Sequence, residues 1–97
     1  MEEKAHWRVT YHPKVASEDI PRIDARWQRE IKRAIDKRLR TDPLTFGKPL
    51  RYSLKGARAL RVGNYRVLYI IRDSTVYIGA IQHRAIVYEN STSARFI

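Results

Sequence analysis

The chain contains no cysteine, so disulfides and thiolate metal sites are excluded. Its three histidines, His6, His12 and His83, are scattered without the spacing of a metal-ligand set, and no structural zinc is expected. No apolar run approaches the roughly 20 residues needed to span a bilayer, and no low-complexity linker or internal repeat breaks the 97 residues. Acid is also scarce. Ten Asp and Glu stand against twenty Lys and Arg, for a net charge of +10. After Asp42, only Asp73 and Glu89 oppose nine cations, at positions 48, 51, 55, 58, 61, 66, 72, 84 and 95. Self-repulsion of that size opposes compaction and favours an anionic partner, a nucleic acid or an acidic protein before a membrane surface. The acidic, polar opening Met1-Glu2-Glu3-Lys4 is unlike a secretory signal, so a cytoplasmic location is expected.

What is present suits one small globular domain over 1–97, since 43% of the residues are hydrophobic and 10% are aromatic. Trp7, Val9 and Tyr11 alternate with Arg8 and Thr10, the period of a strand with one buried face. A helical turn over Lys14–Ile20 stops at Pro21. A longer helix starts at Asp24 as N-cap and carries Trp27, Ile31, Ala34, Ile35 and Leu39 on one stripe, ending at Asp42-Pro43. Its outer face pairs Glu30 with Arg33 and Asp36 with Arg40. Leu44–Arg51 reads as a loop anchored by Phe46 and Leu50. Three strands follow, Ala57–Val62, Tyr65–Arg72 and Thr75–His83, joined by turns at Gly63-Asn64 and Asp73-Ser74. The fold class is α+β, with two N-terminal helices on one face of a small curved antiparallel sheet in the order β-α-α-β-β-β, the other face open. The tail 90–97 reads either as a flexible end or as a docking segment, because Phe96-Ile97 is apolar.

Period two assigns faces. Arg61 lies opposite in face to Leu60 and Val62, and Arg66 alternates with Tyr65 and Val67. Arg66 is either a strand-end arginine reaching solvent or a guanidinium held by the sheet and aimed at phosphate, which its planar fork suits. His83 and Arg84 close the third strand and Tyr88 follows; the histidine is either structural or a proton-transfer group. Cleavage of a phosphodiester by its neighbouring 2′-hydroxyl needs a proton acceptor, a proton donor and positive charge on the phosphorane. Arg61, Arg66 and Arg84 are candidates for the charge and His83 or Tyr88 for the protons, with no metal or small-molecule cofactor required.

Leu54-Lys55-Gly56, the run Leu60-Arg61-Val62-Gly63-Asn64-Tyr65-Arg66-Val67-Leu68-Tyr69, and His83-Arg84 before Val87-Tyr88-Glu89 resemble, in order, the RelE/ParE superfamily of toxin–antitoxin toxins. The resemblance runs over roughly residues 7 to 89. It implies helices packed on a small curved sheet, mRNA cleavage on the ribosome without metal, inhibition of translation, and silencing by a wrapping antitoxin. The acidic, amphipathic character expected of that antitoxin follows from the net charge. By the same resemblance Arg66 matches a phosphate-stabilising arginine, Arg84 the arginine after the third strand, Tyr88 a C-terminal tyrosine, and Arg61 a basic strand position. Lys48, Arg51, Lys55 and Arg58 are further RNA-contact candidates. One departure stands out: Ala57 and Ala59 occupy positions where the ribosome-dependent enzyme carries lysines, one of them proposed as its proton acceptor, and His83 is the candidate substitute. Two alternatives stay open, a ParE-like poison of DNA gyrase without enzymatic activity, and an inactive member that keeps only its antitoxin.

Overall fold

Asp24 begins the helical layer, its Oδ1 accepting a hydrogen bond from the Arg26 amide at 2.9 Å and satisfying a donor that every helix start leaves without a partner. The computed structural model describes residues 7–86 and 90–96. In it α1 runs over Ala25–Ala34 and widens into a π-helical turn over Ile35–Leu39. Ile31, Ile35 and Leu39 are buried, with Trp27 and Ala34 packed beside them, so the apolar stripe faces the core as its spacing predicts. On the outer face Glu30 meets Arg33 at 3.7 Å and Asp36 meets Arg40 at 3.0 Å. Arg40's hydrogen bond is the larger reason that the Asp36 carboxyl is held below its ordinary pKa; Lys32, at 3.2 Å, acts in the same direction.

Five strands form one sheet: β1 (Arg8–Tyr11), β2 (Lys48–Pro49), β3 (Arg58–Val62), β4 (Tyr65–Arg72) and β5 (Thr75–His83). Their spatial order is β1-β5-β4-β3-β2. The meander β3-β4-β5 is antiparallel, as its short turns predict. β1, however, lies parallel to β5, so the sheet is mixed rather than wholly antiparallel. The helices between β1 and the meander supply the long crossover that a parallel pairing needs. Leu44–Arg51 is more ordered than a loop: it holds a short helix α2 (Pro43–Phe46) and the edge strand β2. Phe46 is exposed there, with Arg38 over its ring at 5.9 Å, and buried Pro43 serves as the anchor in its place.

The hairpin turn obeys glycine's freedom. Gly63 takes φ 59°, and a Cβ there would run into the Trp27 ring. In β5 the alternation breaks. Leu68 pairs with Ala80 and Tyr69 with Ile78, leaving Gly79 as the extra residue of a β-bulge. Ile78 and Ile81, three residues apart, therefore both face the helices and the main core.

The second face of the sheet is not open as the sequence suggested. A 3₁₀ turn at Tyr52–Leu54 lays Leu54 over Leu68 and Ala80, and Phe96 joins them. The tail forms a helical turn α3 (Asn90–Ser93) and a 3₁₀ turn Ala94–Phe96, and Phe96 sits where a Cβ on Gly79 would be 2.5 Å away. Beyond Ile78, where the register with β1 ends, an ion pair takes over the edge of β5: Asp19 Oδ2 accepts the Ile81 amide at 2.9 Å, and Arg95 donates to the Gly79 carbonyl at 3.3 Å and to Asp19 at 2.7 Å. Asp19 is 5% exposed and Arg95 12%.

These interactions set two expectations for stability. Removing one partner of a buried pair strands the other charge, so Arg95→Met should lower unfolding free energy in urea by about 3 kcal/mol. Asp19→Asn together with Arg95→Met should recover part of that loss. Tyr69 is buried with its hydroxyl donating to the Pro43 carbonyl at 2.6 Å, and burial pushes its pKa up from 10.0, with Arg58 opposing. The raised value means its contribution is complete below pH 10.0 and is lost as pH rises through the folded-state pKa. Tyr69→Phe should cost about 1–3 kcal/mol near neutrality and show a shallower alkaline fall, read from urea midpoints across pH.

Candidate nucleic-acid interface

Strand register brings two guanidinium-bearing residues face to face. Arg61 in β3 and Arg66 in β4 are direct cross-strand partners, and such partners hold their Cβ atoms about 4.5–5.5 Å apart. Both side chains leave the sheet on the face away from α1. Like charges placed opposite one another repel across a sheet. Arg61 Nε reaches the Gly63 carbonyl at 3.4 Å, and the Arg84 amide donates to the Asn64 carbonyl at 2.7 Å. Arg84 is thereby tied to the β3–β4 turn, so all three arginines gather at one end of the sheet. Lys48 pairs with Ala59 in β2–β3, on the same face as Arg61 and two residues along.

Other candidates go elsewhere. Arg58 points to the helix side and donates to the carbonyls of Leu44 and Gly47, each at 2.7 Å, clamping the α2 segment. Lys55 borders a hollow with Ile70, Arg72 and Phe96 toward the opposite end of the sheet. Arg51 is exposed at the start of the Tyr52–Leu54 turn. Tyr88 lies outside the described residues.

His83 is at the right end but on the other face. The Gly79 bulge shifts the alternation, so His83 pairs with Tyr65 on the helix side and Gln82 takes the place beside Arg66. His83 stacks edge-on against Tyr65, ring centroids 5.4 Å apart, and Tyr65 lies 6.0 Å from Trp27. His83 Nδ1 accepts the Ala85 amide at 3.1 Å, an arrangement that leaves the neutral ring's proton on Nε2. The ring stands in the wall of a cleft of about 510 Å³ that Glu18, Arg22, Tyr65 and Arg95 also line. Gln82 is a neighbour of Arg66 that the sequence did not reveal; its Nε2 donates to Thr92 Oγ1 at 3.0 Å. No periodic signal marks it, because its face depends on the bulge.

Among the described residues no three His, Asp or Glu side chains gather where a metal could be held. Nor is any described helix long and apolar enough to cross a membrane. The arrangement is a row of cations on one sheet face, rounding a turn to an aromatic and imidazole group on the other.

The family model of the ParE toxin of the type II toxin–antitoxin system parDE matches residues 9–88. Toxin RelG of Mycobacterium tuberculosis is 48% identical over 52 residues, which are 52% of this chain and 60% of RelG; the chain thus spans about 60% of the length of that curated relative. In the crystal structure of the toxin–antitoxin complex RelBE2 from Mycobacterium tuberculosis, one chain superposes with TM-score 0.72 at 32% identity, covering 81% of this chain and 99% of that one. YafQ from E. coli, at TM-score 0.55 and 17% identity over 81% of this chain and 94% of its own, shares the fold. With helices on a five-stranded mixed sheet and a matched span of 9–88, the chain belongs to the ParE toxin family within the RelE/ParE superfamily of type II toxin–antitoxin toxins.

Proposed function

We propose that this toxin is an endoribonuclease that cuts mRNA on the translating ribosome in the cytoplasm, inhibits translation, and is restrained by an acidic antitoxin. The observation that carries the reading is the direct opposition of Arg61 and Arg66, with Arg84 tied to the same turn. Facing guanidiniums concentrate positive charge on one sheet face, and a polyanion crossing them is attracted to it. In the reaction the 2′-hydroxyl oxygen attacks the adjacent phosphorus while the bond to the 5′-oxygen breaks. The products are a 2′,3′-cyclic phosphate and a 5′-hydroxyl, and the base that takes the 2′ proton is matched by an acid that gives one to the leaving oxygen. Arg61, Arg66 and Arg84 meet the phosphorane's added charge, an electrostatic role that works best when the donors are held in place beforehand. An RNA strand rounding the end of the sheet passes from these arginines to His83, whose imidazole can give or take a proton. Tyr88 is the other candidate for proton transfer. Lys48 extends the phosphate track on the Arg61 face, Arg51 and Lys55 offer further phosphate contacts toward the opposite end of the sheet, and Arg58 is occupied in the fold.

The antitoxin follows from membership in a toxin–antitoxin family, and the presence of an antitoxin in the RelBE2 complex supports it. A net charge of +10 accounts for its expected acidity.

A second reading, poisoning of DNA gyrase without catalysis, is favoured by two observations: the matching family model is that of ParE, and alanines stand at 57 and 59. Ribosomes programmed with a defined mRNA separate the two. Wild type should cut in the A site, and the Arg66→Ala/Arg84→Ala double variant should lose at least about 100-fold in rate, as when charge stabilisation of a transition state is removed. An intact transcript, with filamentous growth and DNA-damage induction on expression, would establish the gyrase reading instead. His83→Ala that cuts mRNA at the wild-type rate would remove that histidine from the mechanism. Each arginine-to-alanine change at the phosphate track should also make RNA affinity less sensitive to salt, by about one counterion per phosphate no longer neutralised.

A further inference from the structure

Tyr52 is 92% exposed, and it holds a left-handed backbone, φ 58°, that an L-residue with a side chain adopts only at a cost. Neither property serves the fold. The ring buries almost nothing, and glycine would accept the same φ without strain. The segment carrying it is nonetheless well fastened. Leu50 donates to the Ala57 carbonyl at 2.9 Å, Lys55 to the Tyr52 carbonyl at 3.0 Å, and Leu54 is buried against Leu68 and Ala80. This packing places the turn over the sheet face that carries Arg61 and Arg66. Exposed cations flank the ring: Arg51 precedes it, Lys55 follows it, and Lys48 lies on the strand leading in. Among the described residues none of these three enters an ion pair.

A solvent-facing aromatic on a fastened turn, set among cations, is the arrangement by which proteins grip single strands, with bases on the ring and phosphates on the charges. We propose that Tyr52 is a stacking platform for one base of single-stranded RNA, a few nucleotides from the phosphate held by Arg61 and Arg66. The proposal rests on the RNA-cleaving reading above and adds to it a base-binding subsite. Stacking tolerates any base, so the subsite sets affinity and strand path rather than sequence preference.

The test is fluorescence anisotropy at low salt with a labelled single-stranded RNA and an abasic sugar-phosphate strand of the same length. Tyr52→Gly relieves the backbone strain, so its thermal midpoint should equal or exceed the wild type's, which distinguishes a binding defect from a folding defect. It should bind the RNA about ten-fold more weakly. Tyr52→Phe should match wild type, and the abasic strand should not distinguish the three proteins. Unchanged RNA affinity in Tyr52→Gly overturns the platform, as does an equal loss on the abasic strand. A loss confined to antitoxin binding overturns it too and assigns the ring to a protein contact. Because the readout is binding, failure to cut mRNA on ribosomes would defeat the nuclease reading and leave this result standing. Wild type that does not bind RNA at all defeats the platform.

Discussion

One additional residue in β5 governs how this molecule is arranged. Gly79 bulges out of the pairing with β4, and every position after it changes face. Ile81 joins Ile78 in the helix-facing core, Gln82 takes its place beside Arg66, and His83 turns to Tyr65. The missing side chain at Gly79 also makes room for Phe96, which draws the C-terminal turn onto the sheet. Arg95 then reaches the Gly79 carbonyl and Asp19. The second half of β5, in the core, at the edge and beside Arg66, takes its register from that position.

The dependence explains what could be read from the chain in advance. The strands predicted at Tyr65–Arg72 and Thr75–His83 occur over those residues, and Ala57–Val62 is short by one, because branched and aromatic residues between turn signals specify strands locally. The cap at Asp24 and the stripe from Trp27 to Leu39 are local for the same reason. The facing of Arg61 and Arg66 follows from the two-residue turn between their strands. The face of His83 does not, since a bulge is a relation between strands and leaves no mark in the periodicity of either. Arg58 and Arg95 look like other surface cations in sequence, yet carbonyls and a buried carboxylate more than ten residues away claim them. Asp19 carried a weak signal, being one of few acids in a basic chain.

The twenty cations therefore divide by what they meet. Arg40, Arg58 and Arg95 complete the fold through carboxylates and carbonyls. Arg61, Arg84, Lys48, Arg51 and Lys55 stay exposed on or beside the sheet. Charge left at the surface in this way sets up a long-range field, which favours fast capture of an anionic partner and weakens as salt rises.

The Asp19–Arg95 pair joins residues 76 apart in the chain. Until Arg95 has been synthesised, the Gly79 carbonyl on the far half of β5 lacks its guanidinium donor, and a sheet edge with unmet groups is one on which strands from other molecules can add. Contacts of such long range also form late, because a large loop must close first. A nascent copy is thus stickiest in the interval before its last turns arrive. Whatever binds it during synthesis would meet an incomplete sheet rather than the finished toxin.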